Sequence, residues 1–74
     1  MEVSYRVDKD ILYIALEGRI DAQNAGEAEG KIFAIKGENP GKHTVVDADN
    51  LEYISSAGLR VILRMRKEEP TLAI

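Results

Sequence analysis

No cysteine and no tryptophan occur in these 74 residues, and there is only one phenylalanine and one histidine. Without cysteine the chain can build neither a disulfide framework nor a thiolate metal site. A lone His43 has no second histidine with which to form a zinc set, so no metal and no cofactor is expected. The longest strongly apolar run, Ile11 to Leu16, falls far short of the ~20 residues that cross a bilayer. The opening Met1-Glu2-Val3-Ser4 has no positive leader and no apolar h-region. No membrane contact and a cytoplasmic location are therefore expected. The net charge is −3, and no basic block is interleaved with aromatics, which argues against direct binding of nucleic acid.

What is present is aliphatic. Hydrophobic residues make up 45% of the chain, enough for a globular core of Val, Ile, Leu and Ala. A chain of this length forms one domain and buries only roughly 60% of its unfolded surface. Extra stability is thus expected from oligomerisation or from a larger parent domain.

Val3, Tyr5 and Val7 alternate with polar residues, the period of a half-buried strand. After Asp8-Lys9-Asp10, Ile11 to Glu17 is apolar on both faces and reads as an interior strand, paired with the first as a hairpin. Gly18-Arg19-Ile20-Asp21 breaks the pattern, with Asp21 or Asn24 as candidate helix N-cap. Ala25, Ala28, Ile32 and Ile35 then recur at helical spacing, with Gly26 and Gly30 weakening the helix. The breakers Gly37 to Gly41 end it. A third strand, Thr44 to Ala48, follows a helical crossover and is expected to run parallel to the second, with a turn at Asp49-Asn50.

A second helix spans about Ser56 to Glu68. Its apolar face holds Ala57, Gly58, Val61, Ile62 and Met65, widened by Leu59 and Leu63, with Arg60, Arg64 and Lys67 on the other side. That basic stripe reads as a solvated face, or else contacts an acidic partner or pairs with Glu68. Pro70 stops the helix, and Thr71 to Ile74 reads as a fourth strand. The order is β-β-α-β-α-β: a small α/β domain, a mixed sheet with helices on one face. A strand with no helix after it leaves the sheet poorly covered, so a homodimer or strand-exchanged oligomer is expected.

The segment Ile54-Ser55-Ser56-Ala57-Gly58-Leu59-Arg60 is the one place where a function is legible. Hydroxyls at a strand-to-helix junction can cap backbone N–H groups, or stand at the partly positive helix end where an anion is tolerated. Parallel second and third strands place Asp21 and Asn24 on the same rim as Ser56.

Val45-Val46-Asp47 and the run from Leu51 to Leu63, together with Gly18-Arg19-Ile20-Asp21, resemble the STAS family of anti-sigma factor antagonists. The resemblance covers nearly all of the chain and about three quarters of the usual domain, whose final strand and helix are missing or short. It implies that residues 1–74 form a single STAS-like domain and that Ser56 is the residue phosphorylated by an anti-sigma factor serine kinase. The unmodified form would hold that kinase, and the phosphorylated form would release it. Gly58 matches a glycine that lets the helix start approach its partner. Asp47 matches an acidic residue closing the third strand, where a structural role, bonding the following loop, is expected. Ser55 replaces the usual acidic residue before the phosphoserine, so Ser55 is either a cap or the alternative phosphoacceptor. The expected docking rim is Asp21, Asn24, Ser55, Ala57, Gly58 and Leu59.

The competing reading is a constitutive STAS scaffold or subunit, of stressosome, transporter or lipid-trafficking type, whose Ser56 only caps a helix. An enzyme is not expected. His43 lies at the opposite end of the third strand from Ser56, which rules out a triad, and no phosphate-cradling glycine loop with a lysine is present.

Overall fold

The computed structural model describes residues 1–74. Its elements are β1 (Glu2–Asp8), β2 (Ile11–Ile20), α1 (Ala25–Glu38), β3 (His43–Ile54) and α2 (Ser56–Glu68). The sheet order is β1-β2-β3, with β1 antiparallel and β3 parallel to the central β2. The hairpin and the parallel crossover follow from loop length. Two residues, Lys9 and Asp10, suffice to reverse the chain, whereas a parallel return needs a helix.

One layer of aliphatic side chains joins sheet and helices. Leu12, Ile14, Leu16 and Ile20 of β2 and Val46 of β3 meet Ala25, Ala28 and Ile32 of α1 and Val61 and Met65 of α2. Both helices therefore cover the same face of the sheet, as expected. The opposite face carries Tyr13, with the Arg6 guanidinium 3.9 Å from its ring centroid.

The structure corrects several expectations. β1 is less buried than its alternation implied: Val3 packs against the core, but Tyr5 and Val7, on the outer strand of the sheet, remain 47% and 42% exposed. β2 does not break at Gly18 but continues to Ile20, Gly18 taking a φ of +85° that a side chain would strain. β3 does not turn at Asp49-Asn50. It runs on to Ile54 with register shifts opposite Ala15/Glu17 and Gly18/Arg19. The turn-prone residues are absorbed as bulges, which insert extra residues into one strand without ending it.

Thr71 to Ile74 forms no full strand, only a single parallel bridge from Ala73 to Val45, although Leu72 is buried. On α2, Leu59 and Leu63 do not widen the core face: they are 50% and 64% exposed. The buried stripe is Gly58, Val61 and Met65, and Leu59 and Leu63 lie outside it. Arg64 pairs with Glu29 of α1, not with Glu68.

Gly26 and Gly30 sit within α1, where an added Cβ would meet nothing within 4 Å. Gly26→Ala and Gly30→Ala should each raise the unfolding free energy by roughly 0.5–1 kcal/mol, the helix-propensity difference with no packing cost. Urea denaturation of the two variants checks this.

At the end of the sheet away from Ser56, Glu69 ties three elements together. Its carboxylate accepts the Thr44 backbone N–H at 2.8 Å and lies 3.5 Å from Lys36 Nζ of α1 and 3.6 Å from His43 Nδ1. Partial burial works to raise the Glu69 pKa, but the Thr44 N–H and the Lys36 ammonium outweigh it and hold the carboxyl below its ordinary 4.5. A lowered carboxylate pKa gives stability that is complete above the unfolded value and lost as pH falls through the folded one. Glu69→Gln should therefore cost about 1–2 kcal/mol at neutral pH. It should also flatten the loss of stability below pH 4.5, read by thermal melts across that range.

Candidate functional site

Ile20 and Ile54 are partners in the parallel ladder, so the chain leaves β2 and β3 side by side. The Ser55 N–H donates to the Ile20 carbonyl at 2.8 Å, stitching the two exits together. Both isoleucines point toward the helices, and the first turn of α2 rests on them. A Cβ on Gly58 would lie 2.6 Å from Ile54 Cγ1 and 2.9 Å from Ile20 Cγ2. Gly58 is buried, which corrects its expected place on the docking rim. The missing side chain admits the protein's own isoleucines, not a partner.

The two serines divide the work at this junction. Ser55 is the N-cap, with extended backbone, and its Oγ accepts the Gly58 N–H at 3.2 Å. Its hydroxyl is half-buried and engaged. Ser56 is the first residue of α2 and is exposed. Its hydroxyl takes part in none of the side-chain hydrogen bonds of the chain. The first N–H groups of a helix have no partner within it. α2 has no acidic residue in its first turn, while Arg66 and Lys67 occupy its last. The positive end of its dipole is thus left open next to a free hydroxyl.

Asp21 and Asn24 stand where β2 ends, but their side chains serve their own loop. Asp21 Oδ1 accepts the N–H groups of Gln23 at 2.9 Å and Asn24 at 3.0 Å. Asn24 Oδ1 accepts the Asp21 N–H, and its Nδ2 donates to the Arg19 carbonyl, each at 2.9 Å. Asn24 holds the N-cap position of α1 without capping it through its side chain. These four bonds tie the loop to itself and to the end of β2. Ala57 is half-buried and Leu59 exposed on the same turn as Ser56.

Asp47 does not close β3, as the resemblance implied, but lies in mid-strand. Its Oδ1 accepts the Asp49 N–H at 2.9 Å, so it bonds the following residues as expected, at a bulge instead of a loop. Its partner in register is Ala15, which alternates with the core residues Ile14 and Leu16, so Asp47 points away from the helices and from Ser56. Sequence reasoning missed the Arg19–Tyr53 pair, whose guanidinium stands 4.5 Å from the ring centroid on the other side of the rim. Their pairing depends on the bulges in β3, which no local signal announces.

A parallel strand pair and a capped helix seated on its exits thus leave an unengaged hydroxyl on an exposed first turn. Residues 2–71 match the STAS domain model, and the chain belongs to that family. It is 40% identical over 60 residues to a Bordetella bronchiseptica protein assigned as the anti-sigma factor antagonist BtrV, covering 78% of this chain and 49% of that protein. The crystal structure of an anti-sigma factor antagonist from Mycobacterium paratuberculosis superposes with a TM-score of 0.82 at 20% identity, covering 97% of this chain and 62% of the other. The structure of SpoIIAA in its unphosphorylated form gives 0.66 at 21% identity, covering 93% and 64% respectively. The chain thus spans about half the length of the curated relative and less than two thirds of either structure. No helix is long and apolar enough to cross a membrane.

Proposed function

We propose that this chain is an anti-sigma factor antagonist. In its unmodified form it holds an anti-sigma factor with serine kinase activity on the rim formed by the start of α2 and the β2–α1 loop. Phosphorylation of Ser56 by that partner releases it. The observation that carries the reading is the division between the two serines: Ser55 Oγ caps α2, whereas Ser56 is exposed on the first turn. Aspartate and serine are comparable N-caps. Ser55 can therefore do the structural work of an acidic residue at this position, leaving Ser56 as the acceptor.

A phosphate on Ser56 adds roughly −1.5 to −2 charges. Within the free domain that charge is accommodated, since it meets unpaired N–H groups and the positive dipole end. At an interface it must be desolvated or kept out. The fold is spared while the complex is lost, which is what a partner switch requires. The kinase binds ATP and carries the catalysis; this chain supplies the hydroxyl and the surface. The test is release. A preformed complex of the chain with its anti-sigma factor should dissociate on addition of ATP and magnesium, and the complex of Ser56→Ala should persist. Equal persistence of both complexes favours a constitutive scaffold.

A further inference from the structure

The net charge of the chain is −3, yet α2 contains Arg60, Arg64, Arg66 and Lys67 and no carboxylate before Glu68. Two of these cations are used internally: Arg64 pairs with Glu29, and Arg66 donates to the Leu72 carbonyl at 2.9 Å. Arg60 and Lys67 form no ion pair within the chain and are exposed. At about 100° per residue, Ser56, Leu59, Arg60, Leu63 and Lys67 fall within one sector of about 100° on the side opposite Gly58, Val61 and Met65. Leu59 and Leu63 are at least half exposed. From Ser56 to Lys67 this face is about 16 Å long. It combines two aliphatic side chains with two free cations, and the phosphoacceptor hydroxyl stands at one end.

We propose that this outward face of α2 is the main docking surface, and that it seats in an apolar groove rimmed by carboxylates on the anti-sigma factor. The inference rests on the function proposed above and names the chemistry of its partner surface. Charge complementarity selects the occupant. A second copy of this chain would set the same cations against each other across a two-fold axis. An acidic partner is attracted, and the two leucines supply the apolar anchor. The same geometry explains how one phosphate acts along the whole face. Ser56 and Arg60 are at i,i+4 spacing, neighbours on the helix surface. A phosphate there draws the Arg60 guanidinium onto itself and cancels the positive charge of the face, so an acidic rim is no longer attracted.

The test uses the full chain and its purified anti-sigma factor in isothermal titration at several salt concentrations. Leu63→Ala and Arg60→Ala should each weaken binding at least tenfold with circular dichroism and melting unchanged, because both side chains are exposed. Affinity of the native chain should fall as salt rises, and Arg60→Ala should make that fall shallower. Sedimentation of the native chain should show no dimer that Leu63→Ala dissolves. If Ser56→Asp abolishes binding while Leu63→Ala and Arg60→Ala bind within twofold of native, the docking face is elsewhere and the proposed function stands. A dimer that dissolves in Leu63→Ala assigns the face to a second copy and overturns the inference. Failure of the native chain to bind any anti-sigma factor overturns both readings together.

Discussion

Ser56→Asp should lower affinity for the anti-sigma factor by more than a hundredfold, while Ser56→Ala should bind within a few-fold of the native chain. Ser56 is exposed at the start of α2. A carboxylate there meets the open positive end of the helix and leaves the free domain as stable as before, or slightly more so. The cost falls on the complex, where a charge that was solvated must be buried or excluded. A loss of ~3 kcal/mol already exceeds a hundredfold in the dissociation constant. Alanine removes a hydroxyl that nothing in the chain uses, and Ser55 still caps α2. Titration calorimetry of the two variants, with thermal melts as the control for folding, reads the contrast. Equal affinities would mean that charge at this position does not control docking.

Gly58→Val is expected to have the largest effect on stability, a loss of about 2–3 kcal/mol. The added Cβ alone would stand 2.6 Å from Ile54 Cγ1 and 2.9 Å from Ile20 Cγ2. Both atoms are bonded directly to an isoleucine Cβ, one rotatable bond from the backbone, so neither moves far without a change of χ1 rotamer. Overpacking of this kind typically costs about 1–3 kcal/mol, and the Cγ methyls of valine add further crowding. The higher helix propensity of valine recovers only a few tenths of a kcal/mol. For a domain of this size, with stability on the order of 4–11 kcal/mol, that is a large fraction. The same clash lifts the first turn of α2 from the β2 and β3 exits, so binding should weaken as well. Gly58→Ala should lose less, and Gly26→Ala should gain. That ordering in urea midpoints separates packing from propensity.

Much of this architecture is legible in the residues themselves. α2 occupies the expected Ser56–Glu68 because a serine cap and Pro70 bracket an unbroken helical period. The two-faced apolar run of Ile11 to Leu16 correctly marked a central strand. The full length of β3 was not legible, because Asp49 and Asn50 signal a turn equally well whether the chain reverses or bulges. Only the neighbouring strand β2 decides between the two. Leu59 and Leu63 do not widen the apolar face: at about 100° per residue they fall opposite Gly58, Val61 and Met65, so helix geometry alone turns them outward and leaves Leu59 exposed beside Ser56. The burial of Gly58 has no local signal, since its neighbours Ile20 and Ile54 meet only in the fold. The Glu69 clamp had no local signal, since Lys36, His43 and Thr44 come from two other elements. The division between Ser55 and Ser56 was open in the sequence, and backbone geometry at the helix start separates their environments.

The most direct measurement is a map of the phosphate. The chain is incubated with the serine-kinase anti-sigma factors of its own genome and ATP, then digested and sequenced by tandem mass spectrometry. The account expects one phosphate, on Ser56, and none on the Ser56→Ala variant. Modification of Ser55 in its place, or no transfer from a kinase that binds the chain tightly, would contradict it.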